Sequence, residues 1–178
     1  AYIDDLLIIT TGGFMDHLDD LDQVLSRLLE AGLKVNATKS FFGRTELEYL
    51  GYWITQNGVK PLSKKVEAIT NLAAPKTRKH LRSFIGLVNY YYNMWGKRSQ
   101  TLAPLTALTS AKLKWKWTEL EQNAFETMKR IMARETILAY PNFDKPFEIH
   151  TDASDYQLGA CISQDGKPIA IYSRKLSP

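Results

Sequence analysis

The sequence has one cysteine, three histidines and no long run of apolar residues. Cys161 alone cannot form an internal disulfide, and His17, His80 and His150 lie too far apart in sequence to indicate a local metal-binding cluster. The longest uninterrupted aliphatic run covers residues 6–9, far short of the roughly 20 apolar residues that cross a bilayer. We therefore expect no zinc site and no contact with a membrane. Since no signal-peptide pattern opens the chain, we also expect an intracellular protein.

Acidic residues are almost absent from the middle of the chain. Residues 59–117 hold 12 lysines and arginines against 1 acid, whereas residues 1–58 hold 4 against 9 and residues 118–178 hold 7 against 9. This concentration of positive charge is typical of a segment that binds a polyanion. The alternative is a solvated lysine-rich face, and charge by itself does not decide between the two.

The first ten residues consist of two β-prone runs separated by Asp4 and Asp5. This pattern predicts a tight hairpin with two carboxylates at its turn. Adjacent carboxylates repel each other unless cations neutralise them, and oxygen ligands at a turn suit Mg²⁺. The alternative is an ordinary aspartate-rich turn.

Apolar spacing predicts the elements that follow. Residues 16–32 have the leucine pattern of a helix with a buried stripe, residues 33–36 that of a short strand, and residues 48–55 that of a strand ended by a turn signal. In the basic segment, two short helices follow the prolines at 61 and 75, and Thr77 is the expected N-cap of the second.

The last third of the chain changes from helix to strand. Residues 118–135 read as a helix opened by a capping box of Thr118 and Glu121. Three β-prone runs follow at 147–151, 158–163 and 168–173, with Asp165 and Gly166 at the second turn. This pattern predicts an antiparallel meander.

Five motifs occur in order along the chain. They are YIDD at 2–5, AGLKVN at 31–36 with Lys39, YLG at 49–51, LRSFIGLVNYY at 81–91, and TDAS at 151–154. In this order and spacing they resemble reverse transcriptases, above all those of gypsy-like long-terminal-repeat retrotransposons. The resemblance covers essentially the whole chain and implies an α+β fold in four parts. These are the end of a polymerase palm at 1–58, a small helical thumb at 59–110, an α/β connection at 111–146 and the first strands of a ribonuclease H-like domain at 147–178.

The resemblance also implies roles for individual residues. Asp4 and Asp5 correspond to the paired metal-binding aspartates of the polymerase site, and Lys39 to the lysine beside the incoming deoxynucleoside triphosphate. Asp152 corresponds to the first metal-binding aspartate of a ribonuclease H site. The cofactor implied at both sites is Mg²⁺, with Mn²⁺ as a substitute. The primer grip, the strand turn that holds the primer end, corresponds to Tyr49, Leu50, Gly51 and Tyr52.

In the same family the thumb lies on the template-primer duplex or the RNA/DNA hybrid through phosphate and sugar contacts. The residues that would make such contacts here are Lys64, Lys65, Lys76, Arg78, Lys79 and Arg82. We expect the tyrosines at 90–92 to pack in the protein rather than to stack on bases. The stretch after the paired tyrosines departs from the arginine-rich family pattern, so the details of that contact differ.

The activity implied is RNA-directed DNA synthesis with RNA-strand hydrolysis, within a retrotransposon polyprotein located in cytoplasmic particles. The third aspartate of such a polymerase site and the other acids of a ribonuclease H site correspond to no residue of this chain. We therefore expect the isolated chain to be inactive. Two alternatives remain: a non-catalytic nucleic-acid-binding remnant that uses only the basic middle, and a relic with no present function.

Overall fold

The computed structural model describes residues 1–134, 136–155 and 157–176. Within these ranges the chain forms five α-helices, one short 3-10 helix and two antiparallel three-stranded sheets. The elements are α1 (Phe14–Glu30), the 3-10 helix (Ala37–Lys39), β1 (Leu47–Tyr49), β2 (Tyr52–Thr55), β3 (Gly58–Pro61), α2 (Ser63–Thr70), α3 (Arg78–Tyr90), α4 (Arg98–Leu108), α5 (Glu119–Met132), β4 (Glu148–Ala153), β5 (Gln157–Gln164) and β6 (Lys167–Lys175). The expected α+β class is confirmed. No helix in the described ranges is long and apolar enough to span a membrane.

The first part of the chain differs from the prediction. The leucine stripe of α1 is present, but none of its residues is buried, and Leu29 is 79% exposed. An amphipathic helix is buried only where other residues cover its apolar face, and here Leu21, Val24 and Leu28 of the stripe are only half-buried. The strand predicted at 33–36 is absent because Asn36 instead caps the 3-10 helix, accepting a hydrogen bond from Thr38 N at 3.1 Å.

The opening hairpin is reduced to its turn. Tyr2 and Asp5 exchange two backbone hydrogen bonds of 2.9 Å, and no strand extends from this pair. The predicted strand at 48–55 is in fact the β1–β2 hairpin, which turns at Leu50 and Gly51. Both residues have positive φ, 46° and 73°, as a two-residue type I′ turn requires. The prediction of one strand was wrong because leucine rarely adopts positive φ.

The hydrophobic core lies among α3, α4 and α5. Phe84 and Phe125 meet at its centre, with ring centroids 4.7 Å apart. Both predicted helix starts are confirmed: Thr77 Oγ1 accepts from His80 N at 3.2 Å, and Thr118 N donates to Glu121 Oε2 at 2.8 Å. The predicted last helix reached Glu135, which lies outside the described residues. Helix α4 was not predicted, since it contains Pro104.

The segment after α5 connects the two sheets. Leu138 pairs with Val59 of β3 through two backbone hydrogen bonds of 2.8 and 2.9 Å, and Ala139 N donates to Pro168 O in β6 at 2.8 Å. The predicted meander is confirmed as β4–β5–β6. Its second turn contains the expected Asp165 and Gly166, both with positive φ.

Candidate functional site

Asp4 and Asp5 lie at an exposed turn. Ile3, the residue before them, has a φ of 52°, an unusual value for a β-branched side chain. Both carboxylates face solvent, so they can supply oxygen ligands to a divalent cation. Within the described ranges, no three His, Cys, Asp or Glu residues are grouped so that they could hold a metal ion. The pair therefore fits part of an Mg²⁺ coordination sphere.

The aspartate turn lies beside the β1–β2 turn. The hydroxyl of Tyr49 donates a hydrogen bond of 3.3 Å to the backbone carbonyl of Asp5, 44 residues away in sequence. The structure thus brings together two of the predicted site motifs. Lys39 is exposed at the end of the 3-10 helix, and no contact within the described ranges joins it to either aspartate.

Two tyrosines hold the β1–β2 turn against the end of α3. Tyr90 Oη donates to Leu50 O at 2.6 Å, and Tyr91 Oη donates to Gly51 O at 2.7 Å. Tyr52 Oη donates back to Tyr90 O at 3.2 Å. We call this set of three hydrogen bonds the tyrosine clamp. It joins the predicted primer grip to the predicted thumb.

Gly51 is required at this turn for two reasons. Its φ of 73° is disfavoured for residues with a side chain, and a Cβ placed there would lie 2.5 Å from Tyr90 Oη. The Tyr90 ring also stacks on that of Tyr52, at 5.9 Å between centroids and 25° between planes. The turn and the end of α3 are therefore in close contact.

The tyrosines of the clamp differ in burial. Tyr91 is 1% exposed, and burial raises its pKa to about 12. Burial also raises the pKa of Tyr52. Both phenols therefore stay protonated and able to donate at neutral pH. The expectation that the three tyrosines pack in the protein holds for Tyr91 but not for Tyr92, which is 55% exposed.

Four of the predicted nucleic-acid-binding residues are exposed lysines: Lys64, Lys65, Lys76 and Lys79. Lys65 Nζ lies 5.5 Å from the centre of the Tyr90 ring, at the C-terminal end of α3. Lys79 is in the first turn of α3, about 16 Å away along the helix axis at 1.5 Å per residue. Basic side chains therefore lie near both ends of α3, with Lys65 of α2 beside the tyrosine clamp and Lys79 in the first turn of α3.

The two predicted arginines already have partners inside the protein. Arg78 donates to the carbonyl of Leu113, and Arg82 Nη2 donates to Thr109 O at 2.7 Å. These bonds hold α3 to the segment after α4, a role that no sequence signal indicated. Each guanidinium has five donors, so neither bond prevents a phosphate contact.

Asp152 lies in β4, directly opposite Gly159 of β5. Its side chain is exposed at an open cavity of about 310 Å³ between the strand meander and the chain just before α4. Opposite the meander, the cavity is lined by Gly96 and Lys97, just before α4. Lys97, which was not predicted as a site residue, has a φ of 55°.

Residues 1–54 match the family model of the reverse transcriptase (RNA-dependent DNA polymerase), and residues 117–178 match that of the RNase H-like domain found in reverse transcriptase. The chain belongs to the reverse transcriptase family. It is 36% identical, over 99% of its length, to a retrovirus-related Pol polyprotein from transposon 297 of Drosophila melanogaster, of which it covers 17%. It is 34% identical, again over 99% of its length, to the transposon Tf2-3 polyprotein of Schizosaccharomyces pombe, of which it covers 14%. The chain thus spans less than a fifth of these relatives.

Comparison with solved structures supports the same family. The chain is similar to a foamy viral protease-reverse transcriptase in complex with an RNA/DNA hybrid, with a TM-score of 0.83 and 30% identity over 95% of this chain and 24% of that one. The same viral protein in complex with dsDNA gives a TM-score of 0.81, also at 30% identity and over 95% of this chain, with 36% of that chain covered. The family and the fold class predicted from the sequence are therefore confirmed.

Proposed function

We propose that this chain is the central part of a retrotransposon reverse transcriptase of the gypsy-like group, which synthesises DNA on an RNA template and cleaves the RNA strand. In this proposal residues 1–58 end the palm, 59–110 form the thumb, 111–146 the connection, and 147–178 begin the ribonuclease H-like domain. The rest of the polyprotein supplies the other parts of both sites. The enzyme acts in cytoplasmic particles.

The observation that carries the proposal is a continuous set of contacts from the aspartate turn to the basic helix. Tyr49 joins the aspartate turn to the β1–β2 turn, the tyrosine clamp joins that turn to α3, and Lys65 of α2 lies beside Tyr90 of the clamp. A primer end held at the β1–β2 turn would have its 3′ end near Asp4 and its backbone along the lysines. The similar foamy viral protein is bound to an RNA/DNA hybrid, which is the ligand we propose for this surface.

The carboxylates of Asp4 and Asp5 would hold part of the coordination sphere of Mg²⁺, or of Mn²⁺ in its place. When bound, such an ion supplies charge stabilisation for nucleotidyl transfer from a deoxynucleoside triphosphate. Asp4 is the direct ligand and Asp5 supports it, while Lys39 approaches the triphosphate. Asp152 would hold an equivalent ion for RNA hydrolysis.

Activity is tested in the longer enzyme that contains these residues, purified with the variants Asp4→Asn and Asp152→Asn. We expect Asp4→Asn to abolish primer extension and to leave RNA cleavage intact, and Asp152→Asn to do the reverse. The isolated 178 residues should extend no primer, because two carboxylates provide too few ligands. Extension by the isolated chain that depends on Asp4, or failure of both substitutions to affect the longer enzyme, would overturn the proposal.

Nucleic-acid binding is tested on the chain itself by fluorescence anisotropy with a labelled RNA/DNA hybrid. Lys79→Ala should weaken binding and lower the slope of log K against log salt by about 0.7–0.9, the contribution of one phosphate contact. Lys167→Ala is the matched control, since it removes one exposed lysine from the start of β6. Equal effects of the two variants would argue against contact through the thumb.

A non-catalytic remnant is the alternative from another class. It would bind the hybrid through the same lysines, but Asp4→Asn and Asp152→Asn would have no effect in the longer protein. The two experiments together therefore separate the enzyme from the remnant.

A further inference from the structure

A cluster of hydrogen-bonded polar side chains joins α4 to the strand meander. Ser99 Oγ lies 2.7 Å from Ser173 Oγ in β6, and Ser99 N donates to the same oxygen at 3.0 Å. Gln157 Oε1 in β5 lies 3.2 Å from Ser99 Oγ and 3.5 Å from Ser173 Oγ, and since each hydroxyl has one proton, two of these three oxygen–oxygen contacts are hydrogen bonds at any one time. Gln157 and Ser173 are only 5% and 6% exposed. We call these three residues the serine–glutamine cluster.

Arg98, the neighbour of this cluster, adds a second set of bonds. Its guanidinium donates to Asn89 Oδ1 at the end of α3, and Nη2 donates to Ser173 O at 3.3 Å. Its Nε is buried with no hydrogen-bond partner in the described part of the chain, and burial lowers its pKa. Asn93 O accepts from Ile171 N at 3.1 Å. The contact between thumb and meander therefore combines buried polar bonds with apolar packing of Ile171 against the hydrophobic core.

A buried polar contact favours the arrangement in which its donors and acceptors are paired. A shift of β6 along α4 would leave the buried hydroxyl of Ser173 and the buried side-chain oxygen of Gln157 without their partner on α4, which is costly. The cluster thus favours one arrangement of the two parts.

We propose that the serine–glutamine cluster sets the position of the ribonuclease H-like sheet on the thumb, and through it the number of base pairs between DNA synthesis and RNA cleavage on one hybrid. Asp4 is bound to the thumb through the β1–β2 turn, and Asp152 is bound to it through β4–β6. The distance between the two aspartates therefore depends on this contact. Ser99, Gln157 and Ser173 act as positioning residues, and their role rests on the proposed function.

The test uses the longer enzyme stalled on a hybrid with end-labelled RNA, and it measures where the RNA is cut relative to the primer end. The double variant Ser99→Ala, Ser173→Ala should spread the cuts, so that the share at the main position falls at least about twofold while the total cleavage rate changes less than about twofold. Ser83→Ala is the control, since Ser83 is exposed on α3. It should leave the cut position unchanged.

A second variant covers the case in which the double substitution impairs folding. Ser99→Cys with Ser173→Cys, in a Cys161→Ser background, places two thiols where the hydroxyls are 2.7 Å apart. Oxidation should join them and restore a single cut position, and reduction should spread the cuts again. In the double alanine variant, a lower RNA-cleavage rate with the cuts still at one position would instead indicate a purely structural role.

Four outcomes distinguish the hypotheses. Cuts that stay at one position in the double alanine variant would overturn the proposal, as would loss of cleavage on oxidation of the cysteine pair. Spreading that the disulfide reverses would support it. An unsubstituted enzyme that neither extends a primer nor cuts RNA would overturn the proposed function instead. The activity assay of the unsubstituted enzyme therefore comes before any variant is made.

Discussion

The hydroxyl of Tyr91 donates a hydrogen bond of 2.7 Å to the backbone carbonyl of Gly51, across 40 residues of sequence. One partner lies just after α3, in the predicted thumb, and the other is the second residue of the predicted primer-grip turn. Since Tyr90 makes the equivalent bond to Leu50, two tyrosines at the end of α3 satisfy both carbonyls of the turn. The position of the turn is therefore coupled to that of α3.

The first prediction concerns the hydroxyl of Tyr91. Tyr91→Phe removes a donor on a buried ring and leaves the half-buried carbonyl of Gly51 without this bond, so the free energy of unfolding should fall by about 1–2 kcal/mol. Urea unfolding followed by fluorescence measures this change. Tyr92→Phe is the matched control, because Tyr92 is 55% exposed, and its effect should stay within about 0.5 kcal/mol. Equal losses in the two variants would contradict the role of the bond.

The second prediction concerns the space at Gly51. Gly51→Ala should lower the free energy of unfolding by about 2 kcal/mol or more, since the new Cβ meets Tyr90 Oη and the φ of 73° is itself disfavoured. In the double variant Gly51→Ala, Tyr90→Phe, the loss in free energy of unfolding should be smaller than the sum of the two single losses, because the clashing oxygen is gone. Additive losses in a double-mutant cycle would show that Tyr90 is not what excludes the methyl group.

The third prediction follows from the pKa of Tyr91. The unfolded side chain titrates at 10.0 and the folded one at about 12, because burial disfavours the phenolate. Below pH 10 both states are protonated and stability does not depend on this group; as pH rises from 10 towards 12, only the unfolded state loses its proton, so stability falls. Tyr91→Phe should therefore flatten the decline measured by urea unfolding across this range. An unchanged slope would contradict the burial of the phenol.

The features that were predicted correctly from the sequence depend on residues close together along the chain. The helix starts at Thr77 and Thr118 were predicted because a cap depends on residues within one turn. The turn at Asp165 and Gly166 was predicted for the same reason. The burial of α1 was predicted wrongly, since a stripe of leucines shows that a face is apolar and not whether anything covers it.

In the candidate site, too, a local motif could be predicted from the sequence and contacts between distant residues could not. The motif containing Asp4 and Asp5 was visible in the sequence, and the structure places it on the expected turn. The tyrosine clamp was not visible, because its partners lie about 40 residues apart and no pattern along the chain pairs a hydroxyl with a backbone carbonyl. The bonds of Arg78 and Arg82 to carbonyls were missed for this reason too.

The last prediction concerns the capping box of α5. Hydrogen bonds from Thr118 lower the pKa of Glu121 below its usual 4.5, the side-chain bond contributing most. A carboxyl with a lowered folded pKa stabilises the protein above its unfolded pKa, and this contribution is lost as pH falls through the folded value. Thr118→Ala should cost about 1 kcal/mol at neutral pH. Glu121→Gln should make unfolding less dependent on pH below about 4.5, as measured by thermal unfolding from pH 7 to 3.

Glu119→Gln is the control for that measurement. Glu119 also lies in the first turn of α5, where the helix dipole favours a negative charge, but it is not part of the capping box. If it changes the acid dependence as much as Glu121→Gln does, then the helix dipole and not the bond from Thr118 stabilises the carboxylate. If only Glu121→Gln does so, the capping box is responsible, and Thr118→Ala should produce the same flattening.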